Sequence, residues 1–246
     1  MTINRIALIT GGSRGIGAAI ARKFALEGYQ VIIHYAQSKE AAEAVASQCQ
    51  EHGVQALTMQ ADLRSKAQII RMKEQLAQLD MLPDILVNNA GIAHYGMLAD
   101  VTEEDWDQVM NVNLKGLFLM TQSFMDSMVN ARFGRIINVS SIWGLTGASC
   151  EVLYSTAKGG VNAFTKALAK ELAPSGVTVN AVAPGAVDTS MLQHLQADEL
   201  ASLQEAIPAG RLASPEEIAA LVYFLTLPES GYLTGQIISP NGGWLT

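Results

Sequence analysis

The stretch "YSTAK", from Tyr154 to Lys158, sets a phenol and an ammonium four residues apart. On a helix, residues i and i+4 share a face one turn apart, so the two groups can meet. An ordinary phenol titrates at about 10 and is a poor proton shuttle at neutral pH. A neighbouring ammonium favours the phenolate and is expected to lower that pKa. The plainer alternative is a helix pair with a solvated lysine. A second stretch, "ITGGSRGIGAAIA" from Ile9 to Ala21, fits two chemistries. Gly11, Ser13 and Gly15 match the G-x-S-x-G turn of an esterase, with Ser13 as nucleophile. Gly11, Gly15 and Gly17 equally form a glycine-rich cradle that lets main-chain amides approach a phosphate.

The elements that carry these residues separate the readings. Short runs rich in Val, Ile and Leu predict strands at Ile6 to Thr10, Gln30 to Tyr35, Ala56 to Gln60, Ile85 to Asn88, Arg135 to Ser140, Thr178 to Ala183 and Gln236 to Ser239. Between them helical periodicity predicts helices near 15–28, 38–52, 64–79, 102–130, 152–173 and 214–227. Thr102-Glu103-Glu104-Asp105 and Ser214-Pro215-Glu216-Glu217 read as helix starts, a capping hydroxyl followed by carboxylates at the positive helix end. Continuously apolar strands imply burial on both faces. Repeated strand–helix–strand units with right-handed crossovers then predict a Rossmann-type, doubly wound α/β fold of about seven parallel strands with helices on both faces. Its ligands sit beyond the carboxyl ends of the strands, where the glycine stretch opens the first helix. An esterase elbow follows a later strand and needs a histidine and an acid, and His34, His52, His94 and His194 lie in no motif marking such a partner. The cradle is favoured.

Composition narrows the classes further. A chain of 246 residues, 49% hydrophobic, is expected to form one domain over 1–246. A net charge of −7 opposes a nucleic-acid partner, which needs clustered cations. Cys49 and Cys150 form no C-x-x-C pair and no metal-ligand spacing with the histidines, so no metal is expected. No run approaches the ~20 apolar residues that span a bilayer, and Ile6 to Ile9 is too short for a signal-peptide core. A soluble, cytoplasmic protein with no membrane partner is expected.

Further stretches fall after the right strands: "NNAG" from Asn88 to Gly91, "NVNLKG" from Asn111 to Gly116, Ser141, and Pro184-Gly185. Together with the glycine stretch and the Tyr154–Lys158 pair, this set resembles the short-chain dehydrogenase/reductase family from end to end. Within that family it is most similar to the 3-oxoacyl-(acyl carrier protein) reductases, a likeness that "PAGRLASPEEIA" and "NGGW" carry to the carboxyl end. The resemblance implies a catalytic set of Asn113, Ser141, Tyr154 and Lys158. Ser141 would bond the substrate oxygen, Tyr154 deliver the proton, Lys158 hold the nicotinamide ribose and Asn113 support a water that replenishes the proton. It also implies that the cofactor lies along Gly11, Ser13, Arg14, Gly15, Ile16, Gly17, Asp62, Leu63, Asn89, Ala90, Gly91, Tyr154, Lys158, Pro184, Gly185, Val187 and Thr189. Plainer readings stand beside these. Ser140 reads as a strand-end packing residue, Asn113 as a polar helix residue, Asp62 as a helix cap, and Asn88 and Asn89 as strand-end caps.

The cofactor type is read at the end of the second strand. NAD-binding folds place an acid there for the ribose 2′-hydroxyl, whereas here His34-Tyr35-Ala36-Gln37-Ser38 offers none before Glu40. Arg14 lies in the glycine loop, where relatives use a basic residue against a 2′-phosphate, so the resemblance implies NADP(H), with a solvated turn arginine as the alternative. The segment 188–210, with Met191, Leu192, Leu195, Leu203 and Ile207, looks like the family's helical lid, and Trp143, Leu145 and Cys150 are candidates to wall the pocket. Relatives that dock an acyl carrier protein use two basic residues beside the cleft; Arg132 matches one, and Ser175 stands at the other. The leading function is therefore an NADPH-dependent reductase of a 3-oxoacyl thioester, on acyl carrier protein or CoA, or of a small free ketone. A non-catalytic NADP(H)-binding sensor is the alternative and a Ser13 hydrolase a distant third. Small residues on the 152–173 helix (Ala157, Gly159, Gly160, Ala163, Ala167, Ala169) and the tail Trp244-Leu245 suggest a homotetramer, as the resemblance also implies.

Overall fold

A computed structural model describes residues 5–192 and 196–246. Seven strands, β1 (Ile6–Ile9), β2 (Gln30–Tyr35), β3 (Ala56–Gln60), β4 (Ile85–Asn88), β5 (Gly134–Val139), β6 (Val177–Val182) and β7 (Ile237–Ile238), form one parallel sheet in the order β3-β2-β1-β4-β5-β6-β7. The expected strands are all present. β1, β5 and β6 end one residue earlier than read, because Thr10, Ser140 and Ala183 already belong to the loops above the sheet. The order reverses between β1 and β4, and at such a point the loops part to leave a crevice.

Alternation along each strand feeds two cores. Ala7, Ile9, Val31 and Ile33 face one side, packed with Phe24 and Ala25 of α1 (Gly15–Leu26), Val45 of α2 (Lys39–Gln50) and Val222 of α9 (Pro215–Phe224). Leu8, Ile32, Leu86 and Ile136 face the other side. They meet Ile69 and Met72 of α3 (Lys66–Gln78), Phe124 and Met128 of α5 (Gly116–Ala131), and Leu168 of α7 (Val152–Leu172). Each fully buried Ile or Leu is worth about 1.5–3 kcal/mol, so the two layers pin the sheet from both faces. Both expected helix starts carry capping boxes, Thr102 with Asp105 before α4 (Glu103–Met110) and Ser214 with Glu217 before α9.

The helix expected over 102–130 is present but is not α-helical throughout. Between α4 and α5 the chain makes a π turn at Asn111–Lys115. Its cause is visible in Asn113, whose amide accepts from Ile92 N–H and donates to Ile92 C=O, each at 2.8 Å, drawing the helix onto the loop after β4. Two further helices complete the set, α6 (Trp143–Thr146) and α8 (Ala197–Ala206). α8 lies within the expected lid and has no buried residue, while Ile207 beyond it is buried and Met191 is 45% exposed. Leu195 lies outside the described residues. Among the described residues no helix is long and apolar enough to cross a membrane.

Candidate active site

The loops at the carboxyl ends of β1, β4, β5 and β6 converge. Thr10 ties the first two: its Oγ1 accepts from Asn89 N–H at 2.9 Å and Ala90 N–H at 3.0 Å, while Asn89 Nδ2 donates to the carbonyls of Thr10 and Gly11. A side chain on Gly17 would collide with Gly11 O and Asn89 Nδ2, so only glycine lets α1 approach this closely. Gly11 turns with φ +62°, and a Cβ there would meet Ala90 Cα at 2.9 Å. The first helical turn has no acidic residue and no side-chain cap, so its amides and partial positive charge are left for an anion. These residues fit a dinucleotide pyrophosphate.

Around this cradle the structure gathers most of the residues named for the cofactor. Arg14 is exposed at the loop, Ser13 and Ile16 are half-buried, and Thr189 Cγ2 lies 3.4 Å from where a Gly15 Cβ would be. A Gly91 Cβ would be 3.2 Å from Asn113 Oδ1 and 3.6 Å from Lys158 Nζ. Pro184 O accepts from Ile142 N–H, Gly185 packs against Asn241, and Val187 pairs with Ala213. At the end of β3, Leu63 is buried against Gly116. Asp62 is not the cap of α3, which is Ser65. Its carboxylate is instead gripped by Arg64 at 2.7–3.1 Å, which holds it below the usual carboxylate range.

Ser13 has no general base in His34, the histidine that reaches this loop. Both ring nitrogens of His34 engage main-chain groups, of Gly11 and Ala61. The elbow reading lacks its second member here.

Ser141, Tyr154 and Lys158 lie together, 8%, 9% and 4% exposed. The Ser141 hydroxyl lies near enough to the Tyr154 phenol to bear on its proton, and Ser141 Oγ accepts from Trp143 N–H at 3.2 Å. Ser140 turns away to donate to Lys158 O, bracing α7. The expectation that Lys158 lowers the Tyr154 pKa is corrected. Burial pushes the phenol up to about 12, with the nearby Ser141 hydroxyl opposing and the Glu151 charge reinforcing the shift. Lys158 Nζ lies 5.5 Å from the phenol ring centroid and donates to Val139 O at 2.7 Å. Burial brings its own pKa down to about 8. Both charged forms lose water, and for the phenol that loss outweighs what its partners return.

Two other sequence readings change. Trp244 does not hang free: its ring meets Trp143 edge-on at 5.2 Å, so within one chain the tail is folded back beside Ser141. Arg132 caps α5 just before β5, at the amino-terminal end of the strands, opposite the loops that carry Ser141 and the glycine cradle. The sequence reading weighed His34 only as a partner for Ser13, although a histidine in the apolar strand "QVIIHY" is itself a signal, since a buried polar ring needs partners.

A family model for short chain dehydrogenases matches residues 5–200. An uncharacterized oxidoreductase of Bacillus subtilis, YmfI, is 43% identical over 98% of this chain and 99% of its own length. The 3-oxoacyl-[acyl-carrier-protein] reductase FabG of Aquifex aeolicus is 45% identical over 97% and 96%. A crystal structure of a proposed gluconate dehydrogenase from Agrobacterium tumefaciens superposes with a TM-score of 0.95 at 32% identity, covering 98% of this chain and 96% of that one. Sheet order, glycine cradle and family match agree, and the chain belongs to the short-chain dehydrogenase/reductase family, oxidoreductases that use a nicotinamide cofactor.

Proposed function

We propose that the protein is an NADPH-dependent reductase that converts a 3-oxoacyl thioester, on acyl carrier protein or CoA, into its 3-hydroxyacyl product. The observation that carries this reading is the shared burial of Ser141, Tyr154 and Lys158, with Lys158 Nζ 5.5 Å from the phenol ring centroid. The bound nicotinamide supplies hydride for the carbonyl carbon. Ser141 holds the carbonyl oxygen, and Tyr154 gives its proton to that oxygen as negative charge develops there. A raised phenol pKa suits this direction, because it keeps the proton on Tyr154 at neutral pH, and an alkoxide is basic enough to take it. Lys158 then sits near the phenolate left behind and holds the nicotinamide ribose, while Asn113 supports the water that returns the proton. A sensor that never turns over has no use for this set. The thioester rests on similarity to FabG-type relatives, one of which is 45% identical. The free-ketone reading is favoured by Ser175, a neutral residue at the second docking position. NADPH oxidation assayed across acyl carrier protein thioesters, acyl-CoA and free ketones separates them, and activity confined to free ketones would overturn the thioester.

The choice of NADPH rests on the exposed Arg14 and on the end of β2, where Ala36, Gln37 and Ser38 supply no carboxylate. Arg14→Ala should weaken NADPH binding about 10–100-fold, the worth of a charge-assisted hydrogen bond, and leave NADH nearly unchanged. Equal losses in a titration of both cofactors would remove Arg14 from the 2′-phosphate.

A homotetramer completes the proposal. The small-residue face of α7 divides: Ala157 and Ala169 are buried inside the chain, while Ala163 and Ala167 are exposed. Beside them Trp106, Met110, Leu114, Phe118, Gly160 and Phe164 line an apolar groove of about 670 Å³, with Trp106 and Phe118 40% and 41% exposed. Light scattering at micromolar concentration should give the mass of four chains, and Phe118→Glu should lower it by burying a charge in that contact. A fully active monomer would overturn the assembly.

A further inference from the structure

We propose that His34 is a positioning residue for the dinucleotide, its ring clamping the Gly11 turn of the cradle to the end of β3. The inference rests on the nucleotide-cradle reading above. His34 is 1% exposed, on β2 between the two segments it joins. Gly11 N–H donates to Nδ1 at 3.2 Å, and Nε2 lies 2.9 Å from Ala61 O. A main-chain amide can only donate and a carbonyl only accept, so the partners dictate the tautomer: Nδ1 bare, Nε2 protonated. Burial supports the neutral ring by lowering the His34 pKa to about 4. The main chain adds two further links, Gly12 N–H to His34 O at 2.9 Å and Ala61 N–H to Tyr35 O at 3.1 Å. The ring therefore helps set the distance from the turn that meets the pyrophosphate to Asp62, which the resemblance also places along the cofactor. An imidazole can do this because its two nitrogens lie in one rigid ring plane and point in divergent directions within it.

Three purified variants test the clamp. In His34→Asn the side-chain oxygen can stand near Nδ1 and accept from Gly11; in His34→Gln the amide reaches towards Ala61 but leaves Gly11 unpaired; His34→Leu loses both. Affinity is read from NADPH fluorescence titration, alongside KM and kcat at saturating NADPH. Leaving the Gly11 amide without an acceptor should raise the NADPH Kd about tenfold in the Leu and Gln variants, with kcat within about twofold of the parent and Asn restoring most of the affinity. A Leu variant with parental Kd, or an Asn variant no better than Gln, would overturn the clamp while leaving the cofactor reading intact. If the Leu variant does not fold, the comparison of Asn with Gln still decides. A parent protein that binds neither NADPH nor NADH overturns the cofactor reading, and the clamp with it.

Discussion

A Tyr154→Phe variant should turn over ketone about 10²–10⁴ times more slowly than the parent, the usual worth of a positioned general acid, while binding NADPH almost unchanged. The substitution removes one hydroxyl from a ring that is 9% exposed and leaves its packing in place. What disappears is the proton that Tyr154 is proposed to give to the carbonyl oxygen. Because the phenol titrates at about 12 in the folded chain, the parent should show no loss of proton donor across the neutral and mildly alkaline range. Steady-state kcat on the folded variant, with cofactor affinity measured separately, checks the assignment. Retention of more than about a tenth of parental kcat, less than ~1.4 kcal/mol of transition-state stabilisation, would remove Tyr154 from the role.

Lys158→Met should separate activity from stability, lowering the first and raising the second. The folded pKa of about 8 lies below the ordinary 10.5, so between those values the unfolded chain binds more protons than the folded one. Stability attributable to this group therefore rises as pH increases from about 8 towards 10.5, and below 8 the whole penalty for burying the ammonium is present. At pH 7 that penalty is on the order of 3 kcal/mol, reduced by about 1 kcal/mol for the hydrogen bond to Val139 O that methionine cannot make. The variant should melt several degrees higher than the parent and lose at least about tenfold in kcat, since no cation remains beside the phenolate. In the parent, kcat should fall as pH rises through about 8, as the ammonium loses its proton. Melting curves and a pH–rate profile read both effects. A lower melting temperature would show that the buried cation holds the fold together, and an unchanged kcat would remove Lys158 from the chemistry.

Much of this was legible in the residues because the signals were local. Short apolar runs rich in Val and Ile, bounded by turn residues, read as strands buried on both faces, and all seven are present within a residue or so of where the runs placed them. Gly11 and Gly17 mark the cradle because no other residue fits there. What escaped depends on contacts between distant segments. Nothing around Asn113 in sequence announces Ile92, so the π turn was read as unbroken helix. Nothing near Tyr154 reports how deeply it is buried, so the ammonium one turn away was given too much influence. Trp244 looked stranded because Trp143, its partner, lies 101 positions earlier in the chain. His34 was passed over because catalytic motifs were sought around it and main-chain partners were not.

The π turn at Asn111–Lys115 also bears on how easily such a protein drifts. A π turn holds one residue more than the α-helical turn it replaces, so loss of a single codon within it would let α4 and α5 fuse into one regular helix. Neither the sheet nor the two cores would object, because each helix keeps its own apolar stripe. The faces of α4 and α5 would keep their relative orientation, because the residue lost is the one the bulge had absorbed, and only the residues of the turn itself would move. Asn113 would leave Ile92, and the loop that carries Gly91 towards Lys158 would lose its anchor. The chemistry and the fold are thus separable by one in-frame deletion, a short mutational step from an oxidoreductase to an intact but inert scaffold.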